Sequence, residues 1–134
     1  MARHIHIEQD RETALREAVD VLSTGHPVAI PTETVYGLAA DATNPAAITR
    51  IYETKGRPQF NPLICHMASI AMAEDYAAFD PISRKLAEAF WPGPLTLILP
   101  LKPESAIHAL ATAGLDTVGI RIPKGFASDL IAAF

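Results

Sequence analysis

A chain of 134 residues, 49% hydrophobic and 19% charged, carries enough apolar material for one core and excludes disorder as its main state, because disordered chains are apolar-poor and strongly charged. Eleven Lys and Arg against 15 Asp and Glu give a net charge of -4, which excludes a basic coat for nucleic acid but leaves room for a local cationic pocket. One cysteine, Cys65, excludes an intramolecular disulfide and a thiolate metal cluster.

In chain order, Arg3 to Ile7 alternates, His4 and His6 against Ile5 and Ile7, and predicts an edge strand. His4 and His6 could chelate a metal with a third ligand, but exposed polar residues on an edge strand are the simpler reading. A helix is predicted from its N-cap Asp10 to Ser23, closed by Gly25, with Leu15, Ala18, Val19 and Leu22 as its inward stripe. Val28-Ala29-Ile30 reads as a strand stopped by Pro31. Asn44-Pro45 opens a helix bearing Ile48, Ile51 and Tyr52, and Gly56 ends it. Leu63 to His66 is a short strand with Cys65 as a small core residue. Asp80-Pro81 repeats the cap-plus-proline signal for a helix whose apolar positions are Ile82, Leu86, Ala89 and Phe90. Trp91-Pro92-Gly93-Pro94 must turn. Leu95–Leu99 and Thr117–Ile122 are two further strands, and Ser128 to Phe134 starts an apolar helix with no closing signal, which predicts that the chain is a fragment of a longer one. The pattern is that of an α/β domain. The longest apolar run, Leu95 to Leu101, is seven residues. A membrane span needs about 20, and the N-terminus has no signal-peptide stretch, so the predicted location is cytoplasmic, with no membrane partner.

Phosphate loops, dinucleotide turns, nucleophile elbows and zinc-protease helices are all missing from the sequence. Three stretches could carry chemistry. Pro31 to Leu38 gathers Thr32, Glu33, Thr34 and Tyr36 after a strand, where open sheets present ligand sites. Its alternative is a polar loop with an anchored tyrosine. Lys55-Gly56-Arg57-Pro58 with Asn61-Pro62 makes a stiff cationic loop suited to a polyphosphate or a phosphate–carboxylate pair; helix C-terminal capping is the alternative. Arg121 stands in the apolar strand Val118-Gly119-Ile120-Arg121-Ile122 and must find an anion or water. A structural ion pair and a substrate carboxylate both satisfy it. Lys102 and Lys124 read as solvated charges.

Pro31-Thr32-Glu33-Thr34-Val35-Tyr36-Gly37-Leu38, Lys55-Gly56-Arg57-Pro58 with Asn61-Pro62-Leu63, Trp91-Pro92-Gly93-Pro94-Leu95-Thr96 and Val118-Gly119-Ile120-Arg121-Ile122-Pro123 together resemble the YrdC family of threonylcarbamoyl-AMP synthases, in order and over essentially the whole chain. The resemblance implies one domain over 1–134, incomplete at its C-terminal end, with a twisted mixed sheet, flanking helices and a concave basic cavity. It implies synthesis of threonylcarbamoyl-AMP and pyrophosphate from L-threonine, bicarbonate and ATP, with Mg2+ on the ATP and no protein-bound metal. The product serves tRNA threonylcarbamoyladenosine modification through partner proteins, with a tRNA contact conceivable. Carried over by residue, Thr34, Tyr36, His66 and Arg121 look like threonine contacts. Lys55, Arg57, Asn61 and Thr117 look like nucleotide contacts, and Lys55 and Arg57 would neutralise charge developing on the α-phosphate. The family's Ser-x-Asn element, expected downstream of Pro123, is not in this sequence. Two other readings are a carbamoyl-transferring relative of the same fold and a non-catalytic RNA-binding module.

Overall fold

Asp10, Asn44, Ser69 and Asp80 each place a side-chain oxygen on the free amides of a following helix, and those caps set where four of the five helices among the described residues begin. The computed structural model describes residues 3–33 and 35–134. Helix α1 (Arg11–Ser23) starts where Asp10 accepts from the Thr13 amide at 3.1 Å. It buries Ala14, Ala18 and Leu22, with Leu15 and Val19 half-buried beside them. Gly25 follows with φ +80°, and a Cβ there would lie 3.0 Å from the Asn44 amide and 3.2 Å from the Arg50 guanidinium. The turn therefore needs glycine for its dihedral and for its close approach to helix α2 (Pro45–Lys55).

In α2 the Asn44 side chain accepts from the Ala46 and Ala47 amides at 3.0 and 3.3 Å, Pro45 occupies the first turn, and Gly56 closes the helix in the left-handed region. Asn44→Ala is expected to lower stability by about 1 kcal/mol, the usual cost of a lost N-cap, read as a reduced urea midpoint at unchanged m-value.

Strands β1 (Val28–Ile30) and β2 (Gly37–Ala39) form an antiparallel hairpin with Val28 opposite Ala39 and Ile30 opposite Gly37. The strand at Gly37–Ala39 had no sequence signal beyond its pairing partner. A separate three-stranded sheet holds β3 (Ile64–His66), β4 (Leu97–Pro100) and β5 (Thr117–Arg121) in the order β3-β5-β4. Strand β5 is central, parallel to β3 and antiparallel to β4, so the mixed sheet of the sequence reading is present. Cys65, Leu97, Leu99, Val118 and Ile120 point to the core face, where Ile48, Tyr52, Ala73, Ala87 and Trp91 complete the larger hydrophobic cluster. The short helix α3 (Ile70–Glu74) closes one side of it.

Helix α4 (Pro81–Phe90) turns its apolar positions outward. Ile82, Leu86, Ala89 and Phe90 are exposed, Ile82 by 72% and Phe90 by 58%, and the buried positions are Ser83 and Ala87. The capping box explains this. The Ser83 hydroxyl accepts from the Asp80 amide at 2.8 Å while Asp80 accepts from the Ser83 amide at 2.7 Å, which fixes the helix's rotation with Ser83 inward. Ala87, one turn on, then meets the core beside Trp91.

Arg3 to Ile7 departs from expectation. It forms no strand, although Ile5 and Ile7 pack on a second cluster made by α1, β1 and helix α5 (Phe126–Ala133). Alternation supplied the buried face, but no neighbouring strand offers a ladder there. Arg11 binds the two ends together, ion-paired to Asp129 with its guanidinium 5.5 Å from the Phe126 ring centroid. Lys102, expected to be solvated, donates from Nζ to the Glu74 carbonyl. Among the described residues no helix is long and apolar enough to cross a membrane.

Candidate functional site

Because strand side chains alternate, the residues between the core positions of β3, β5 and β4 emerge on the opposite face of the sheet. They are Ile64 and His66, then Thr117, Gly119 and Arg121, then Ile98 and Pro100, with Thr96 just before β4, and each of them is half-buried or exposed. Two rows follow from the register. Ile64, Gly119 and Ile98 form an apolar row with a glycine floor. Beside it, His66 lies opposite Arg121, and Thr96 receives both Nε and Nη2 of Arg121 at 3.0 and 2.8 Å.

This arrangement answers the question raised by an arginine in an apolar strand. Arg121 has no ion pair among the described residues; its partner is a hydroxyl, so its charge is not neutralised. His66 is held below the ordinary imidazole range, chiefly by burial and further by the Arg121 charge, against a raising influence from the Ile64 carbonyl and from Glu33. Its Nδ1 lies 3.3 Å from the Ile64 carbonyl, and since a carbonyl only accepts, Nδ1 carries the proton and Nε2 keeps a lone pair. The row therefore presents a fixed cation next to a neutral acceptor.

The depressed pKa has a stability consequence. As pH falls through about 6.5, the unfolded chain takes up a proton at this position before the native chain does, so native stability falls and levels off below the native pKa. His66→Gln is expected to shallow the loss of unfolding free energy between about pH 7.5 and about pH 5. An unchanged pH profile in urea unfolding would assign that loss to other groups.

The loop between β1 and β2 carries Thr32, Glu33 and Tyr36. Thr32 folds back, its hydroxyl accepting from the Val35 amide at 3.1 Å. The Glu33 carboxylate accepts from the Lys124 amide at 3.0 Å, which ties this loop to the chain leaving β5. Tyr36 is 80% exposed, and no hydrogen bond joins it to His66 or Arg121. Thr34, expected to contact threonine, lies outside the described residues.

The cationic loop sits at the other end of the sheet. Lys55 is exposed, and Arg57 turns inward, donating from Nε to the Asn61 carbonyl at 3.4 Å and from Nη2 to the Pro62 carbonyl at 2.9 Å. Tyr52, whose hydroxyl is pushed up in pKa by burial, donates to the same Asn61 carbonyl at 2.7 Å and to Leu110 at 3.2 Å. The loop is thus braced from within, and the Asn61 side chain is half-buried at its end. Thr117 faces the same end of the sheet. It stands four residues from Arg121 on β5, roughly 13 Å at strand rise. The sequence-expected residues therefore fall into two groups along the strand direction, Lys55, Arg57 and Asn61 in the loop before β3 with Thr117 at the start of β5, and His66 and Arg121 at the far ends of the same two strands.

Cys65 behaves as expected of a core thiol, buried with its pKa pushed up to about 11 by desolvation. Two participants had no assigned role in the sequence reading, Glu33 and Thr96. Both lay in motifs that stood out, but their partners, Lys124 and Arg121, are distant in the chain.

A family model spanning Sua5, YciO and YrdC proteins, described as telomere recombination, matches residues 20–134. The threonylcarbamoyl-AMP synthase of Bacillus subtilis is 52% identical over 110 residues, covering 81% of this chain and 32% of that protein. The threonylcarbamoyl-AMP synthase of Pyrococcus abyssi is 47% identical over 117 residues, 87% of this chain and 34% of that protein. Among solved structures, a doubly substituted Pyrococcus abyssi Sua5 superposes with a TM-score of 0.92 at 43% identity, over 98% of this chain and 39% of that one. Pyrococcus abyssi Sua5 complexed with L-threonine gives 0.85 at 44% identity, over 97% and 37%. The chain spans about a third of the length of these curated relatives.

Proposed function

The chain belongs to the Sua5/YciO/YrdC family, and from that membership we propose that the open face of its sheet is the substrate-binding floor of a threonylcarbamoyl-AMP synthase. The observation that carries this reading is the unneutralised Arg121 beside a neutral His66. A guanidinium matches an amino-acid carboxylate bidentately, and the His66 Nε2 lone pair accepts from a threonine hydroxyl or amine. The resemblance of fold and sequence to a Sua5 complexed with L-threonine supports that choice of ligand.

In the proposed reaction the threonine nitrogen attacks the carbon of bicarbonate, losing a proton as water departs, and a carbamate forms. A carbamate oxygen then bonds to the α-phosphorus of ATP while the bond to pyrophosphate breaks. No side chain acts as nucleophile. The nucleotide lies toward Lys55, Arg57, Asn61 and Thr117, where the exposed Lys55 ammonium and the Nη1 edge of Arg57 offset charge developing on the phosphates. The family resemblance adds Tyr36 and Thr34 to the proposed threonine contacts. Magnesium travels on the triphosphate; among the described residues no cluster of His, Cys, Asp and Glu is placed to hold a metal. The product passes to partner proteins for tRNA modification in the cytoplasm.

The test is pyrophosphate release from ATP by the full chain, with L-threonine and bicarbonate omitted in turn. Release that requires both is expected. Release indifferent to threonine would overturn the reading in favour of carbamoyl transfer.

A further inference from the structure

Thr96 touches Arg121 rather than any open part of the site, and its position is set with unusual redundancy. The Trp91 indole Nε1 donates to the Leu95 carbonyl at 2.8 Å, immediately before Thr96. The Gly93 amide donates to the Ile122 carbonyl at 2.8 Å, immediately after Arg121. Gly93 has no room for a side chain, since a Cβ would lie 2.7 Å from the Phe90 carbonyl oxygen. The turn before β4 is therefore bonded to the end of β5, and it delivers Thr96 beside Arg121. The Thr96 methyl lies over Gly119, 3.6 Å from where a Cβ would stand, which leaves its hydroxyl directed at the guanidinium.

Both bonds from Arg121 to Thr96 come from one edge of the guanidinium, the Nε and Nη2 edge. A guanidinium has five N–H groups in a fixed plane. Two meet Thr96, and the remaining three project from the Nη1 and Nη2 end. We propose that Thr96 is the positioning residue of the amino-acid site: by holding one edge of Arg121 it aims the other at the substrate carboxylate before substrate arrives. This rests on the reading of Arg121 as a carboxylate contact. Unheld, a side chain with several rotatable bonds would have to be ordered on each binding event.

A carboxylate is bound alike in the ground and transition states, so loss of positioning raises KM and leaves kcat. In the full chain, Thr96→Val, which keeps the shape and removes the acceptor, is expected to raise KM for L-threonine about tenfold, with kcat and KM for ATP within about twofold. Thr96→Ser restores the wild-type KM. In an Arg121→Lys background, Thr96→Val adds no further increase, because the effect passes through the guanidinium. Should Thr96→Val fail to fold, Thr96→Ala carries the same comparison. Direct calorimetric titration with L-threonine separates the two claims. Wild type that does not bind it overturns the assignment of the site. Wild type that binds, with Thr96→Val binding equally well, overturns the positioning role alone, as does a fall in kcat at unchanged KM or a Thr96→Ser variant that fails to recover.

Discussion

Arg121→Ala is expected to weaken L-threonine use roughly ten- to hundredfold, the equivalent of the 1.5–3 kcal/mol typical of a hydrogen bond to a charged group, while the KM for ATP stays put. The guanidinium stands four residues along β5 from Thr117, where the proposed nucleotide residues begin, so the two substrates should part company in this variant. Arg121→Lys should recover little, since an ammonium keeps the charge but not the planar fork. Stability should barely move, because among the described residues the side chain bonds Thr96 alone and lies on the half-buried face away from the core. Equal damage to both substrates in steady-state kinetics, or a large fall in the urea midpoint, would make the arginine structural.

The neighbouring position should behave in the opposite way. Ile120 is 0% exposed and sits at the centre of the sheet's core face. Ile120→Ala is expected to cost about 2–5 kcal/mol through lost burial and the cavity left behind, a large share of the roughly 5–15 kcal/mol that holds a domain together. Urea unfolding reads this directly. A cost below about 1 kcal/mol would mean the surrounding core collapses into the space. Adjacent residues of one strand thus divide the work, 118 and 120 holding the fold and 117, 119 and 121 turned to the less buried face.

Much of this was legible in the sequence wherever one residue's own chemistry dictates the outcome. Asn44-Pro45 and Asp80-Pro81 announce helix starts because a cap and a proline act on the amides next to them. Arg121 called for a partner because a charge in an apolar strand needs one wherever the strand lies, and among the described residues that partner is the Thr96 hydroxyl. Thr96 gave no such sign, since a threonine before a strand is ordinary until β4 is known to lie antiparallel to β5. The orientation of α4 was not legible for a related reason. Its apolar spacing marked a face, but which face turned inward was decided by the Asp80–Ser83 bonds and by the fit of Ala87 beneath the helix. Likewise the alternation of Arg3 to Ile7 was real, and a strand failed to form only for want of a neighbour. Arg57 braces its own loop through the Asn61 and Pro62 carbonyls, a role that its place in a cationic loop did not announce.

The strand order carries a consequence for how the protein is made. Of the described strands β5 is the last to leave the ribosome, yet it belongs in the middle of its sheet. Until it arrives, β3 and β4 have no partner to pair with, and Leu97, Ile98 and Leu99 wait in the nascent chain as an apolar segment with bare backbone edges. Such segments recruit the wrong neighbours when chains are crowded. The interval between the emergence of residues 97 and 121 from the ribosome is thus the window in which a chaperone would matter most, and a pause that holds β4 outside the exit tunnel with β5 still inside should raise the aggregated fraction more than a pause after β5 has emerged.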